Sequence, residues 1–266
     1  MGFVPPQAIL VGNAFRVLPM IGFVALALVS GLLIGCVGIG GVLLVPVLTL
    51  AGVDVHAAIA ASMFSFIFSG LIGVWLYQRK GSIAWGSAAW LCAGATPGAL
   101  AGALLASRLS GTILLVFVGA TVVFSGARSL LGGPPPTDGR ALPPSGLLLI
   151  GVVVGVLSSL TGTGGPVLLV PVLLWLKIPV LTAVGLSQAI QVPIATLASV
   201  GNFWSGHLDL ELGLVLGLGV AIGSGVGARI AHAVPTLLLG RLVAIVLVLV
   251  GLIVLGRSGY ALMGPS

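Results

Sequence analysis

Two short stretches put hydrogen-bond donors where an apolar chain should have none. GCVGIGGVLLVP, from Gly35 to Pro46, and LTGTGGPVLLVP, from Leu160 to Pro171, interrupt long hydrophobic runs with glycine and proline. These are the two residues least suited to a helix interior. Where a helix breaks and restarts, its new N-terminus offers free N–H groups and the positive end of a dipole, and glycine lets an anion approach that backbone closely. The residues so marked are Gly38, Gly40 and Gly41 in the first stretch and Thr161, Gly162, Thr163, Gly164 and Gly165 in the second. Glycine also serves plain close packing of helices. That alternative suits Gly94, Gly98 and Gly102, which recur every fourth residue along one face; the duplication of the two breaks and their proline partners favours function for the others.

The remaining polar residues narrow the chemistry. Ser62, Ser65 and Ser69 share one helical face, and the matching region further on holds Ser187, Gln188, Gln191, Ser199 and Asn202. Serines commonly bridge membrane helices, each worth about 1 kcal/mol; Gln188 and Gln191, bulky and costly to bury unpaired, are assigned to the site. All four acids, Asp54, Asp138, Asp209 and Glu211, fall in loops, so no intramembrane carboxylate is at hand to bind a cation or carry a proton. Cys36 and Cys92 offer neither a disulfide framework nor a metal cluster, and Cys36 reads as a small packing residue. His56, His207 and His232 lie near loops and read as solvated, while Arg108 and Arg229 read as interfacial anchors. With no nucleotide motif, zinc signature or paired carboxylate, no catalytic residue, metal or cofactor is expected.

What must position these residues follows from composition. Of 266 residues 59% are hydrophobic and 5% charged, with a mean hydropathy of +1.32, against roughly 25% charged in soluble domains. The chain reads as an all-α integral membrane protein with apolar segments of spanning length almost end to end. The net charge of +6 is scattered singly at segment ends, a topology signal rather than a nucleic-acid patch. The N-terminus lacks a signal peptide's basic start and is expected to be retained.

Sliding the chain by 125 positions lays Pro46 on Pro171, Ser62 on Ser187, Gly81 on Gly206, Gly94 on Gly219, Gly98 on Gly223, Gly102 on Gly227 and Gly126 on Gly251, the mark of an internal repeat. Upstream of the prolines Gly35 pairs with Gly155, which places five extra residues in the second break. Two homologous four-segment repeats follow: 19–51, 55–78, 84–106 and 111–131, then 146–176, 180–204, 210–232 and 236–257. The membrane repeats occupy 19–131 and 146–257, joined by a Pro/Gly-rich linker over 132–145. If both broken first segments cross the membrane, basic residues divide six against four between the faces. If they are re-entrant, Arg79, Lys80, Arg128, Arg140, Lys177, Arg229 and Arg241 gather on one side, seven against three. The positive-inside rule favours the second arrangement, inverted repeats with a cytoplasmic linker.

The ordered set GxGGVLLVP, then Ala58, Ala61 and Ser62, then YQRKGSIAW, then GATPGALAGALLA resembles the TauE/SafE family of sulfite-exporter-like permeases. The resemblance covers about residues 20–257. It implies a bacterial or archaeal cytoplasmic-membrane permease for sulfur oxyanions or organosulfonates such as sulfite, sulfoacetate or thiosulfate. The family's glycine-rich motif corresponds to Gly38, Gly40, Gly41 and Pro46, and again to Gly162, Gly164, Gly165 and Pro171. Where family members often carry an unbroken glycine run, this chain has GIGG and TGTGGP. The expectation is a secondary transporter of a small sulfur oxyanion, its site between the two breaks and its halves rocking about it. The expected partners are a small anion and the lipid bilayer, without nucleic acid; homo-oligomerisation, transport direction and coupling ion are left open. A membrane-embedded assembly factor or chaperone would account for the hydrophobicity but not for the duplicated breaks.

Overall fold

The computed structural model describes residues 6–38, 40–131, 142–230, 245, 248, 249 and 251–256. Helix α1 (Pro6–Val37) ends at Gly38 and is followed by a 3-10 turn (Gly40–Leu43) and the short α2 (Leu44–Leu50). Then come α3 (Val55–Arg79), α4 (Trp85–Ala106), α5 (Gly111–Leu131), α6 (Pro144–Thr161), α7 (Pro166–Trp175), α8 (Val180–Trp204) and α9 (Leu210–Ile230). A helical piece follows at 251–256. The segments expected at 55–78, 84–106, 111–131, 146–176, 180–204 and 210–232 appear within two residues of those bounds, both broken first segments are split at their glycines, and α1 begins at Pro6, well before the expected 19. Most of the expected linker, most of the last segment, His232, Asp138 and the side chains of Cys36, Arg16, Arg128, Arg140, Arg241 and Arg257 lie outside the described residues.

Local chemistry explains the helix ends. Asp54 caps α3, its carboxylate accepting from the amides of His56 at 2.9 Å and Ala57 at 3.2 Å, and Asp209 caps α9 in the same way through Glu211 and Leu212. Each such cap is worth about 1 kcal/mol. Two of the four acids are therefore helix caps, which accounts for their loop positions. Replacing Asp54, Asp209 or Glu211 singly by Asn or Gln is expected to leave transport within a few-fold of the parent, as uptake measurements on each variant would register.

Glycine seams hold the bundle. A Cβ on Gly98 would lie 2.5 Å from the Val152 carbonyl oxygen, and one on Gly102 would lie 2.5 Å from that of Val156; Gly94 approaches Leu148 in the same manner. This is the close backbone contact that small residues permit between membrane helices. On the other side Gly219, Gly223 and Gly227 of α9 press against Ala27, Leu28 and Leu32 of α1. The packing reading of the Gly94 stripe fits these contacts. The upstream pairing does not: Gly31 meets the Val220 carbonyl as Gly155 meets that of Ala95, and Gly38 and Gly162 both end their helices with positive φ, 79° and 68°. These matches set α1 on α6 at a shift of 124, not 120, so the second break carries one extra residue rather than five. Glycine is too frequent here for identity alone to fix the register; the backbone contact fixes it.

The same contacts give helix directions. Gly31 with Val220 and Gly35 with Ser224 make α1 and α9 parallel, and Phe64 with Gly213 and Phe68 with Gly217 make α3 and α9 parallel. The pairs Gly94–Leu148 and Gly98–Val152 make α4 and α6 parallel, and the pairs Cys92–Ala189 and Ala103–Gly201 align α4 with α8. By contrast Phe66 meets Gln191 while Gly73 meets Gln188, so α3 and α8 run antiparallel. Since α1 and α3 run the same way, the chain between them must double back. It does so at the break, where Gly40 lies against Ser30, Leu33 and Ile34 of α1. The α6–α7–α8 stretch repeats this course.

Among the described residues five helices, α3, α4, α6, α8 and α9, are long and apolar enough to cross a membrane. All five tryptophans, Trp75, Trp85, Trp90, Trp175 and Trp204, face outward on the bundle, as the aromatic belts of membrane proteins do. Trp75 additionally stacks under the Arg79 guanidinium, 4.0 Å from ring centroid to Cζ.

Candidate functional site

The two breaks converge on one aromatic ring. Phe66 sits at the middle of α3, is 1% exposed, and its ring lies between the glycine turns: a Cβ on Gly41 would be 2.7 Å from the ring tip and one on Gly164 would be 2.6 Å from its flank. Gly38 faces Pro166, Val170 and Val184, while Gly162 faces Val45 and Ile59. Each break therefore touches the broken segment and the central helix of the other half, at positions 125 apart.

The second turn is built by three glycines in positive-φ conformations that other residues rarely adopt. Gly162 closes α6 at φ 68°, and the amide of Thr163 donates to the Ser158 carbonyl at 3.1 Å, the bond of a Schellman-type stop. Gly164 at φ 78° and Gly165 at φ 112° then reverse the chain into α7, which opens on Pro166. Proline is apt there, since the first helical N–H has no intrahelical partner. Thr161 Oγ1 donates to Leu157 O at 2.7 Å and lies 3.0 Å from Thr163 Oγ1. From α5, the Ser125 hydroxyl donates to the Val167 carbonyl at 3.3 Å.

Gln191 ties the central helices together. Its Nε2 donates to the Phe66 carbonyl at 3.1 Å and to the Ser69 hydroxyl at 2.7 Å. Phe66 and Gln191 occupy equivalent places in the 125-residue shift, so the copies diverge where they meet: one supplies a ring, the other an amide. Gln188 packs its amide against Gly73. Every described buried polar residue is a Ser, Thr, Asn or Gln, and no cluster of three metal-ligating side chains occurs among the described residues. The oxygens of Ser30, Ser62, Ser158 and Ser159, with Oε1 of Gln188 and of Gln191, are buried without a protein partner.

All ten residues singled out from sequence are buried. Gly41, Gly164 and Gln191 gather around Phe66; Gly38, Gly162, Gly165, Thr161 and Thr163 form the turns beside it. Gly40 stands apart, its α-carbon packed on α1, and Gln188 faces Gly73. Phe66 and Ser69 were not singled out for the site, Phe66 because a phenylalanine in an apolar run carries no signal. Its equivalence to Gln191 under the repeat was the available clue. His56 and His207 also differ from expectation. Their rings stack at 4.8 Å, and His56 Nε2 lies 3.1 Å from the Leu109 carbonyl oxygen, tying three loops at one end of the bundle.

Spanning helices around two buried, glycine-turned chain breaks, with no charged side chain buried among the described residues, make a multi-pass helical membrane protein built as transporters are. More narrowly, the chain belongs to the family described as sulfite exporter TauE/SafE, which matches residues 23–254. Among its relatives, "Probable membrane transporter protein YdhB" of Bacillus subtilis (strain 168) is 22% identical over 234 residues, covering 85% of this chain and 96% of the relative. "Probable membrane transporter protein YunE" of the same strain is 26% identical over 259 residues, covering 86% and 94%. No solved structure matches the chain. Family and relatives are membrane transporters rather than enzymes.

Proposed function

We propose that the transported substrate is a small sulfur-containing oxyanion or organosulfonate, of the sulfite, sulfoacetate or thiosulfate type, bound between the two glycine turns at Phe66. The observation that carries this reading is the convergence of Gly41 and Gly164 on one buried ring at mid-height of α3 and α8. The Thr163 hydroxyl and the amides at the start of α7 are donors at the second turn, and among the described residues no buried acid repels an anion. The description of the family as sulfite exporters supports the choice of sulfur. Binding of radiolabelled sulfite and thiosulfate to the purified protein tests it; saturable binding of neither removes the reading.

We propose further that 19–131 and 146–257 are inverted repeats, joined by a cytoplasmic linker over 132–145. Equivalent helices α3 and α8 run antiparallel, and so do α5 and the 251–256 piece, where Gly119 meets Leu255 and Gly251 meets Val123. A two-fold axis relating antiparallel spans lies in the membrane plane, the symmetry of an inverted-repeat transporter. Alternating access then comes from the halves rocking about the Phe66–Gln191 contact. Topology offers a clear test. In a variant with Cys36 and Cys92 replaced by alanine, Ser82→Cys and Ser205→Cys are expected to label from opposite sides with an impermeant maleimide, Ser205→Cys in intact cells and Ser82→Cys only after lysis. Parallel repeats would put both on one side.

A further inference from the structure

The unused hydrogen-bonding capacity beside Phe66 says what kind of anion fits. A backbone carbonyl only accepts, so the bond from Gln191 to the Phe66 carbonyl fixes which end of the amide is nitrogen. Its Oε1 is thereby a pure acceptor, and it is buried without a partner; one turn earlier the Gln188 amide packs against Gly73 with its Oε1 also unpartnered, and both side chains are 1% exposed. Acceptors left dry and unpaired are costly. The helices packed against α8, namely α3, α4, α6 and α7, place no described buried Lys, Arg, His, Asp or Glu there, so no cation offsets these oxygens. A fully deprotonated dianion brings acceptors only and would meet them with repulsion.

We infer that the site selects a monoanion carrying an O–H of its own. Its sulfonate oxygens take the N–H and hydroxyl donors at the glycine turns, and its hydroxyl donates to the amide oxygen of Gln191 or to that of Gln188, one turn away on α8. The inference rests on the sulfur-oxyanion reading above and narrows it: of the three types named there, hydrogensulfite carries the required O–H, whereas sulfoacetate and thiosulfate are dianions without one. It makes the two glutamines specificity-determining residues rather than general anion ligands.

Calorimetric titration of the purified full chain in detergent tests this with three probes: 2-hydroxyethanesulfonate, ethanesulfonate and sulfate. The first two are monoanions of similar size that differ by one hydroxyl. The hydroxylated probe is expected to bind roughly tenfold more tightly than ethanesulfonate, the worth of a hydrogen bond to a buried acceptor, and sulfate to bind more weakly than either. Gln188→Leu breaks no hydrogen bond within the protein and is expected to shrink the preference severalfold while keeping affinity for ethanesulfonate. Gln191→Leu should shrink it too, with a lower melting temperature because the Phe66 and Ser69 bonds go with it. Should Gln191→Leu fail to fold, the parent and Gln188→Leu decide. Equal affinity of the parent for the two sulfonates, an undiminished preference in Gln188→Leu, or sulfate binding as tightly as either overturns the inference while leaving the sulfur-anion reading in place. Binding of none of the probes, nor of sulfite, overturns both.

Discussion

Phe66→Ala is expected to produce the largest combined loss of stability and selectivity of any single change in the chain. The ring is buried between Gly41 and Gly164, and removing a buried phenylalanine costs about 3–5 kcal/mol through lost contacts and an unfilled cavity. The cavity opens at the point where the two chain breaks meet, so the site admits longer sulfonates that the ring excludes. Phe66→Leu, which keeps most of the volume, should retain most of the stability and show the selectivity change in milder form. Melting temperatures in detergent, read beside the ratio of sulfite to 3-hydroxypropanesulfonate uptake in proteoliposomes, check both parts. A destabilised protein with an unchanged ratio would make Phe66 a core residue only.

The second large effect sets two neighbouring glycines of α9 against each other. A Cβ on Gly223 would run into the Leu28 carbonyl oxygen and lie 2.8 Å from the amide nitrogen of Leu32, whereas nothing lies within 4 Å of one on Gly225. Gly223→Leu must therefore push α1 and α9 apart, at a cost of about 3 kcal/mol or more. Gly225→Ala should be neutral or stabilising by up to about 1 kcal/mol, since alanine is the better helix former. Detergent thermal denaturation of the two variants separates a packing glycine from an idle one at a spacing of two residues.

Much of this architecture is legible in the sequence because membrane burial writes strong signals. Spans must be long and apolar, so their limits fell close to the observed ones. A glycine and proline break in such a run has to be sheltered by protein, and both breaks are. Register near the breaks was less legible: glycines are so common in this chain that Gly35 could be paired with Gly155, when its contacts equate it with the serine at 159. Glycine identity also could not separate Gly41 and Gly164, which face Phe66, from Gly40, which only lets the chain fold back on α1. Phe66 was hidden by its type, and the His56–His207 stack because it joins loops about 150 residues apart.

We propose that the paired glycine turns around Phe66 bind and pass a sulfur oxyanion. Uptake of radiolabelled sulfite into proteoliposomes, measured for the parent and for Gly164→Ala, tests it most directly. Gly164 has φ 78° and its added methyl would lie 2.6 Å from the Phe66 ring, so the variant distorts the turn itself; positive φ alone costs about 1–2 kcal/mol. Saturable uptake by the parent well above empty liposomes is expected, with at least a tenfold higher half-saturation concentration or no uptake for folded Gly164→Ala. Uptake by the parent no faster than by empty liposomes, or uptake by Gly164→Ala with an unchanged half-saturation concentration, would contradict it.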